Sequence, residues 1–188
     1  MSRVKSEIVR NAILEAARKQ FSKNGYVKTT INMIAKAAGT APSNVYVYFG
    51  SKLEIALAIY EPWFKNQILA LEKVVAKKRG PKQKLACLVE GLLRNVANDK
   101  RGRTATLMAA FATATPPDGY RPDLLIWGER RLAAMIEDIL GAREKPLSFA
   151  RMLMVIFDGV AIRGILMQDK RALSALIKSI TGRLKSRN

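Results

Sequence analysis

Three observations predict an all-α protein. Ala and Leu are abundant while β-branched runs are few, a balance that favours helix over strand. Apolar residues recur at intervals of three and four along most of the chain. The breaks between those periodic stretches carry Gly, Pro, Asn and Asp, which end and turn helices.

Taken in order, Val4, Ile8, Val9, Ala12, Ile13, Ala16, Ala17 and Phe21 trace one face of a helix over about residues 4–23, stopped by Asn24-Gly25. Thr29 or Thr30 then caps a short helix over Ile31–Ala38, since a hydroxyl accepts from an orphaned amide of the first turn. Gly39 ends it, and Pro42, whose fixed φ suits a first helical position, starts another that runs to Tyr48. Ser51 caps a long segment from Lys52 to about Lys78, which Pro62 should kink or split. Beyond the basic turn Lys77-Lys78-Arg79-Gly80-Pro81, periodic stretches cover about 82–98, 103–114, 121–141 and 147–168, with a last helix at 171–185. Residues 98–102, 116–119 and 141–146 separate them as loops.

The length, 188 residues, suits one or two domains, and 49% hydrophobic with 26% charged residues is enough to form a core. With no His and one Cys, Cys87, histidine triads, thiolate zinc cages and internal disulfides are excluded by counting. Carboxylate or Lys chemistry survives that count, but no phosphate-cradling GxxxxGKS or GxGxxG loop is found, so no enzyme, cofactor or metal is expected. The charged positions Glu7, Arg10 and Glu15 interrupt the N-terminal apolar residues, leaving no signal-peptide core. An uncharged run such as Thr104–Pro117 is too short to span a bilayer. The expected location is the cytoplasm, with no membrane partner.

A net charge of +18 makes polyanions the natural partners. Residues 1–52 carry nine Lys/Arg against two Asp/Glu, and the rest is basic too, so charge by itself does not locate the contact surface. The two short helices do. Joined by a tight turn at Gly39, they have the spacing of a helix-turn-helix, with Ala35 small enough for close approach and Gly39 free to turn. Ile34, Ala38, Val45 and Phe49 supply the apolar contacts between them. At 100° per residue, Ser43, Asn44, Tyr46 and Val47 share the arc opposite Val45 and Phe49, with Tyr48 at its edge. Those four are candidate base readers. An Asn amide pairs with adenine N6 and N7, a Val methyl meets a thymine methyl, and a Ser hydroxyl donates or accepts.

The residues Ile13-Leu14, Ala16-Ala17, Phe21, Gly25, Thr29-Thr30, Ile34-Ala35, Ala38-Gly39, Tyr46, Phe49, Lys52 and Leu57 stand at intervals that are recognisable. Over residues 8–60 the chain resembles the DNA-binding domain of the tetracycline-repressor (TetR) family. The resemblance implies a prokaryotic homodimeric transcription regulator, with a DNA reader in residues 1–51 and a helical effector-binding and dimerisation domain in 52–188. It implies that Tyr46 contacts the DNA backbone or a base, and that Tyr48 and Lys52 contact phosphates. Packing of the Tyr48 ring in the small domain is the alternative. At Lys52 a helix start, its orphan amides and the Ser51 hydroxyl can converge on one phosphate, and Thr29 or Thr30 can act likewise at the second helix. One departure matters. Where the family commonly has Val-Ser after the turn glycine, this chain has Thr40-Ala41, losing an apolar plug and a serine cap.

In the C-terminal part, residues 149–168 resemble the penultimate, dimer-forming helix of many family members. Gly159 and Gly164 permit close approach, and Leu153, Ile156, Val160 and Leu166 fit a packed face, either across a two-fold axis or in the protomer's own core. Trp63, Phe64, Met108, Phe111, Trp127, Met152 and Met154 are candidates to line an effector cavity, or are ordinary core. Arg94, Arg130 and Arg163 can face an anionic effector or simply solvent. The expected function is a ligand-responsive regulator, most simply a repressor, that binds a palindromic double-stranded DNA operator as a homodimer and is released by a small molecule. The competing reading is a non-specific, nucleoid-type basic protein, which would bind all sequences alike.

Overall fold

The computed structural model describes residues 3–119, 122–166 and 170–182. Among the described residues there are nine α-helices and no strand: α1 (Arg3–Lys28), α2 (Ile31–Ala37), α3 (Pro42–Tyr48), α4 (Lys52–Ala76), α5 (Gly80–Glu90), α6 (Arg103–Ala112), α7 (Asp123–Leu140), α8 (Pro146–Leu166) and α9 (Lys170–Gly182). The expected all-α class is what is found. The loops at 116–119 and 141–146 hold short 3₁₀ turns, Pro116–Asp118 and Ala142–Glu144.

Local chemistry accounts for most boundaries. α1 breaks at Gly25, whose φ of 75° and ψ of 164° are not helical, so the expected stop is a kink followed by a further short stretch to Lys28. Pro62 lies inside α4 without ending it. α5 begins at Gly80-Pro81 and continues directly into a π-helical stretch, Gly91–Ala97, so the run expected at 82–98 is one continuous winding of two kinds.

Packing divides the chain into two compact units, Met1–Trp63 with Arg101–Arg121, and Phe64–Lys100 with Pro122–Asn188. The packing boundary therefore falls just after Pro62, and α6 belongs with the N-terminal helices. In the first unit Ile13, Ala17, Phe21, Ile34, Val45, Phe49, Leu53 and Leu107 are buried. Phe21 stacks at tilted angles on Tyr26 and Tyr60, with centroids 5.4 and 6.3 Å away. In the second unit α7 packs chiefly on α8, and Phe64, Ile68, Leu88, Leu92, Leu132, Ile136, Leu153 and Phe157 form the core. Phe64 meets Phe157 edge-on at 5.9 Å. Glu72 pairs with Arg131 in this unit, and Lys84 pairs with Asp138 at 2.7 Å.

Candidate nucleic-acid interface

α2 and α3 are seven residues each, too short to persist alone, so both are held by what they bury. Ile34 and Ala35 of α2, and Val45 of α3 with Phe49 just beyond it, are at most 2% exposed. Gly39 makes the turn between them at φ 68°, a left-handed conformation costly for any residue with a Cβ. The Thr30 hydroxyl accepts from the Met33 amide at 3.2 Å and caps α2. α3 has Ala41 at its N-cap with no side-chain cap, and Pro42 follows it.

With its back face buried, α3 presents the opposite arc to solvent. Ser43 is exposed, Tyr46 is 56% exposed and Val47 76% exposed, while Asn44 and Tyr48 are half-buried. An isolated exposed apolar side chain is ordinary. A Val and a Tyr side by side on a helix whose other face is fully packed form a surface shaped for contact. The Asn44 amide donates to the Thr40 hydroxyl at 2.7 Å.

The two threonines separate. Thr29 is buried, its hydroxyl donating to the carbonyls of Gly25 at 2.7 Å and Gln20 at 3.2 Å, so it ties the α1–α2 link together and does not present itself to DNA. Thr30 remains at the surface.

Lys52 is also redirected. Its Nζ donates to the carbonyls of Tyr26 at 3.0 Å and Thr29 at 2.9 Å, and sits 4.3 Å from the centre of the Tyr26 ring. The ammonium satisfies the Thr29 carbonyl where α1 ends and adds a second donor to that of Tyr26, which also accepts from the Thr29 amide at 3.2 Å, as cations commonly satisfy helix C-termini. The expected convergence on a phosphate is therefore not the arrangement found: the Ser51 hydroxyl accepts from the Glu54 amide at 3.1 Å, and the Glu54 carboxylate accepts from the Gly50 amide at 2.6 Å. Ser51 thus caps α4, and Glu54 reaches back to the residue before the cap. Nearby, Asp118 is held below the usual carboxylate range by the hydroxyl and amide of Thr115, at 2.6 and 2.8 Å. Burial lowers the Lys52 ammonium and Asp118 opposes that shift. Burial pushes the Tyr26 phenol up to about 12, with Asp118 adding in the same direction.

The residues expected at an effector site fall in both packing units. In the first unit, Trp63 lies under the Arg103 guanidinium at 4.2 Å, and Met108 and Phe111 are half-buried on α6. In the second unit, Phe64 and Met154 are core, Trp127 has the Lys65 ammonium 5.6 Å above its ring, and Met152 is exposed on α8. None of these lines the cavity of about 560 Å³ that opens in the second unit, between α4 and the α5–π run, over Leu71, Val74, Ala86, Cys87, Gly91 and Val96. No sequence motif marks that cavity; its floor depends on Gly91, where a Cβ would stand 2.3 Å from a Leu71 methyl. Arg94 donates to the Ser174 hydroxyl at 3.0 Å.

On α8, Leu153 is fully buried and belongs to the protomer's core, while Ile156 and Val160 are half-buried and Gly159 is exposed. The exposed stripe is instead Met152, Val155, Gly159 and Ile162, at helical spacing on one side. Gly164 and Arg163 lie in the last turn of α8, outside the residues whose side chains are described.

Joined by the tight turn at Gly39 on an all-helical frame, α2 and α3 have the arrangement of a helix-turn-helix. Residues 13–59 match the model of the bacterial regulatory proteins of the tetR family. It is 30% identical over 87 residues to the fatty acid metabolism regulator protein of Bacillus subtilis, covering 46% of this chain and 45% of that one. It is 22% identical over 162 residues to the HTH-type transcriptional regulator BetI of Brucella anthropi, covering 85% and 83%. A further relative is the HTH-type transcriptional activator FasR of Mycolicibacterium smegmatis, 28% identical over 93 residues, which are 50% of this chain and 42% of FasR. The chain thus spans a little under half the length of the fatty acid metabolism regulator and of FasR. Among solved structures, the transcriptional regulator FadR from Bacillus subtilis in complex with stearoyl-CoA superposes with a TM-score of 0.66 at 21% identity, covering 94% and 98% of the two chains. A transcriptional regulator from Rhodococcus sp. Rha1 gives 0.67 at 22%, covering 92% and 94%. Both share the fold. Among the described residues no helix is long and apolar enough to cross a membrane.

Proposed function

We propose that this chain is a ligand-responsive transcriptional regulator of the cytoplasm that binds a palindromic operator as a homodimer, represses, and is released by a small-molecule effector. DNA reading falls to residues 1–51, and effector binding and dimerisation to 52–188. The observation that carries the reading is the outer arc of α3, where Ser43, Tyr46 and Val47 are exposed over a fully packed back face. Asn44 completes the set of base readers, with Thr30 and Tyr48 at its margins.

Dimerisation is assigned to α8 through the stripe of Met152, Val155, Gly159 and Ile162, with Ile156 and Val160 at its edges. Two readers in such a dimer need a spacing of about 34 to 36 Å, or a compatible multiple, to enter successive major grooves. An effector that binds better at another spacing lowers operator occupancy, and tenfold release takes about 1.4 kcal/mol of differential affinity. The names of two relatives, a fatty acid metabolism regulator and a FadR bound to stearoyl-CoA, make a long-chain acyl thioester the first effector to try. A cavity of about 560 Å³ lined by apolar side chains together with Lys78, Glu90 and Asn95 is of the size that small-molecule sites commonly have.

The test is selection of bound sequences from a random duplex library at near-physiological salt, without effector. A recovered palindrome supports the reading. Binding without sequence preference, fading as salt rises, overturns it in favour of a nucleoid-type protein.

A further inference from the structure

We propose that Thr40 is a positioning residue for base recognition, holding the Asn44 carboxamide in the pose that reads adenine. The inference rests on the DNA-reading function of α3 proposed above. Thr40 and Ala41 stand where a serine cap is lost, and α3 has no side-chain cap at Ala41. The Thr40 hydroxyl is turned to another use: it lies 2.7 Å from Asn44 Nδ2, one helical turn on. The Thr40 backbone is anchored in its turn, because its amide donates to the Ala35 carbonyl at 3.0 Å. Through Thr40 the side chain of Asn44 is therefore fixed to the end of α2 as well as to its own helix.

The chemistry follows from donor counting. An Asn carboxamide has two N–H donors and an acceptor oxygen. One N–H is spent on Thr40, which leaves one N–H and the oxygen, both on the same planar group. Adenine presents an acceptor at N7 and a donor at N6 in the major groove, the complement of that pair, whereas guanine presents two acceptors. An amide held beforehand loses less rotamer freedom on binding than one that must be ordered by the base. That difference is on the order of fivefold in affinity.

The experiment compares the wild type with Thr40→Val, Thr40→Ser and Asn44→Ala, using the selected half-site and its single-base variants, with urea denaturation to verify folding. Thr40→Val keeps the shape and loses the hydroxyl. The expected result is that Asn44→Ala abolishes preference for adenine at one half-site position. Thr40→Val should reduce preference about fivefold at that position and nowhere else, and Thr40→Ser should retain it. Equal weakening of Thr40→Val on every base variant, as a purely structural role would produce, overturns the proposal; so does full retention of preference. A preferred site that Asn44→Ala leaves unchanged also sinks it while sparing the DNA-reading function. If the wild type selects no sequence, both fall together.

Discussion

The ammonium of Lys52 lies 2.9 Å from the carbonyl oxygen of Thr29 and is engaged within its own packing unit. A residue whose place at the head of a helix suggests a phosphate contact is thereby a tie between α4 and the end of α1. Its consequence separates two roles that look alike in a binding assay. Lys52→Met leaves the Thr29 carbonyl without this donor and the Tyr26 carbonyl with the Thr29 amide alone, at a cost of about 1–2 kcal/mol to folding. The slope of log affinity against log salt should be unchanged, whereas loss of a phosphate contact would reduce it by about 0.9. Urea denaturation together with a salt series on the selected operator reads both, and a reduced slope with unaltered stability would restore the phosphate role.

Asp158 carries the clearest pH dependence. Burial raises its carboxyl to about 6, and its Oδ1 is buried with no hydrogen-bond partner among the described residues. The unfolded value is about 4, so the folded state favours the neutral form. Its stabilising contribution is complete below about pH 4 and disappears as the pH rises through about 6. Because the side chain is only half-buried, solvent screening leaves an effect of about 1 kcal/mol. Asp158→Asn should therefore raise stability near neutrality by about that amount and flatten the profile over the acidic range. A less stable Asn variant at neutral pH would show that the carboxylate has a partner in solution.

Gly91 and Leu71 offer a cycle with opposite signs. In the wild type a Cβ at position 91 would overlap a Leu71 methyl, and because Leu71 is itself buried its side chain must repack, a cost of about 1–3 kcal/mol set against the helix-propensity gain of about 1 kcal/mol. Gly91→Ala should thus destabilise by about 1 kcal/mol overall. In a Leu71→Ala background the obstruction is gone and the same change should stabilise by about 1 kcal/mol. Equal effects in both backgrounds would mean that the two residues are not coupled.

Val155 is 72% exposed, so in a lone protomer Val155→Glu should change folding stability by no more than about 0.5 kcal/mol. At the centre of the proposed dimer face it buries two charges near a two-fold axis. Sedimentation should show a wild-type dimer and a folded monomeric variant, with operator affinity lost in parallel. A dimeric Val155→Glu protein would move the interface elsewhere.

The reader was legible because its determinants are local. Gly39, Pro42 and the caps at Thr30 and Ser51 act within a few residues of themselves, and a wheel drawn on Pro42–Tyr48 places Val45 inside and Val47 outside, as found. α8 was not legible in the same way. It is apolar on all sides, through Leu153, Met154, Val155, Ile156 and Phe157, and a helix without a polar face does not announce which side is covered. The pattern thus leaves Leu153 open between a shared interface and the protomer's core; it lies in the core, two residues from Val155 on the open side. Trp63, Phe64, Met108, Phe111, Trp127 and Met152 were grouped by size and type alone, which says nothing about which of them meet.

By itself the sequence determined the helical class, the place of the helix-turn-helix and the outward arc of its second helix, since periodicity and caps are properties of neighbouring residues. Tertiary structure decided where Lys52 spends its charge, which of two threonines stays at the surface, what Gly91 makes room for and which stripe of α8 remains open. For Lys52 and Gly91 the partner is 20 or more residues away, for Thr29 it is the carbonyls at the kinked end of α1, and for α8 it is the face covered by another helix. Spacing along a chain tells which side chains hide, while contact between distant segments settles what they hide against.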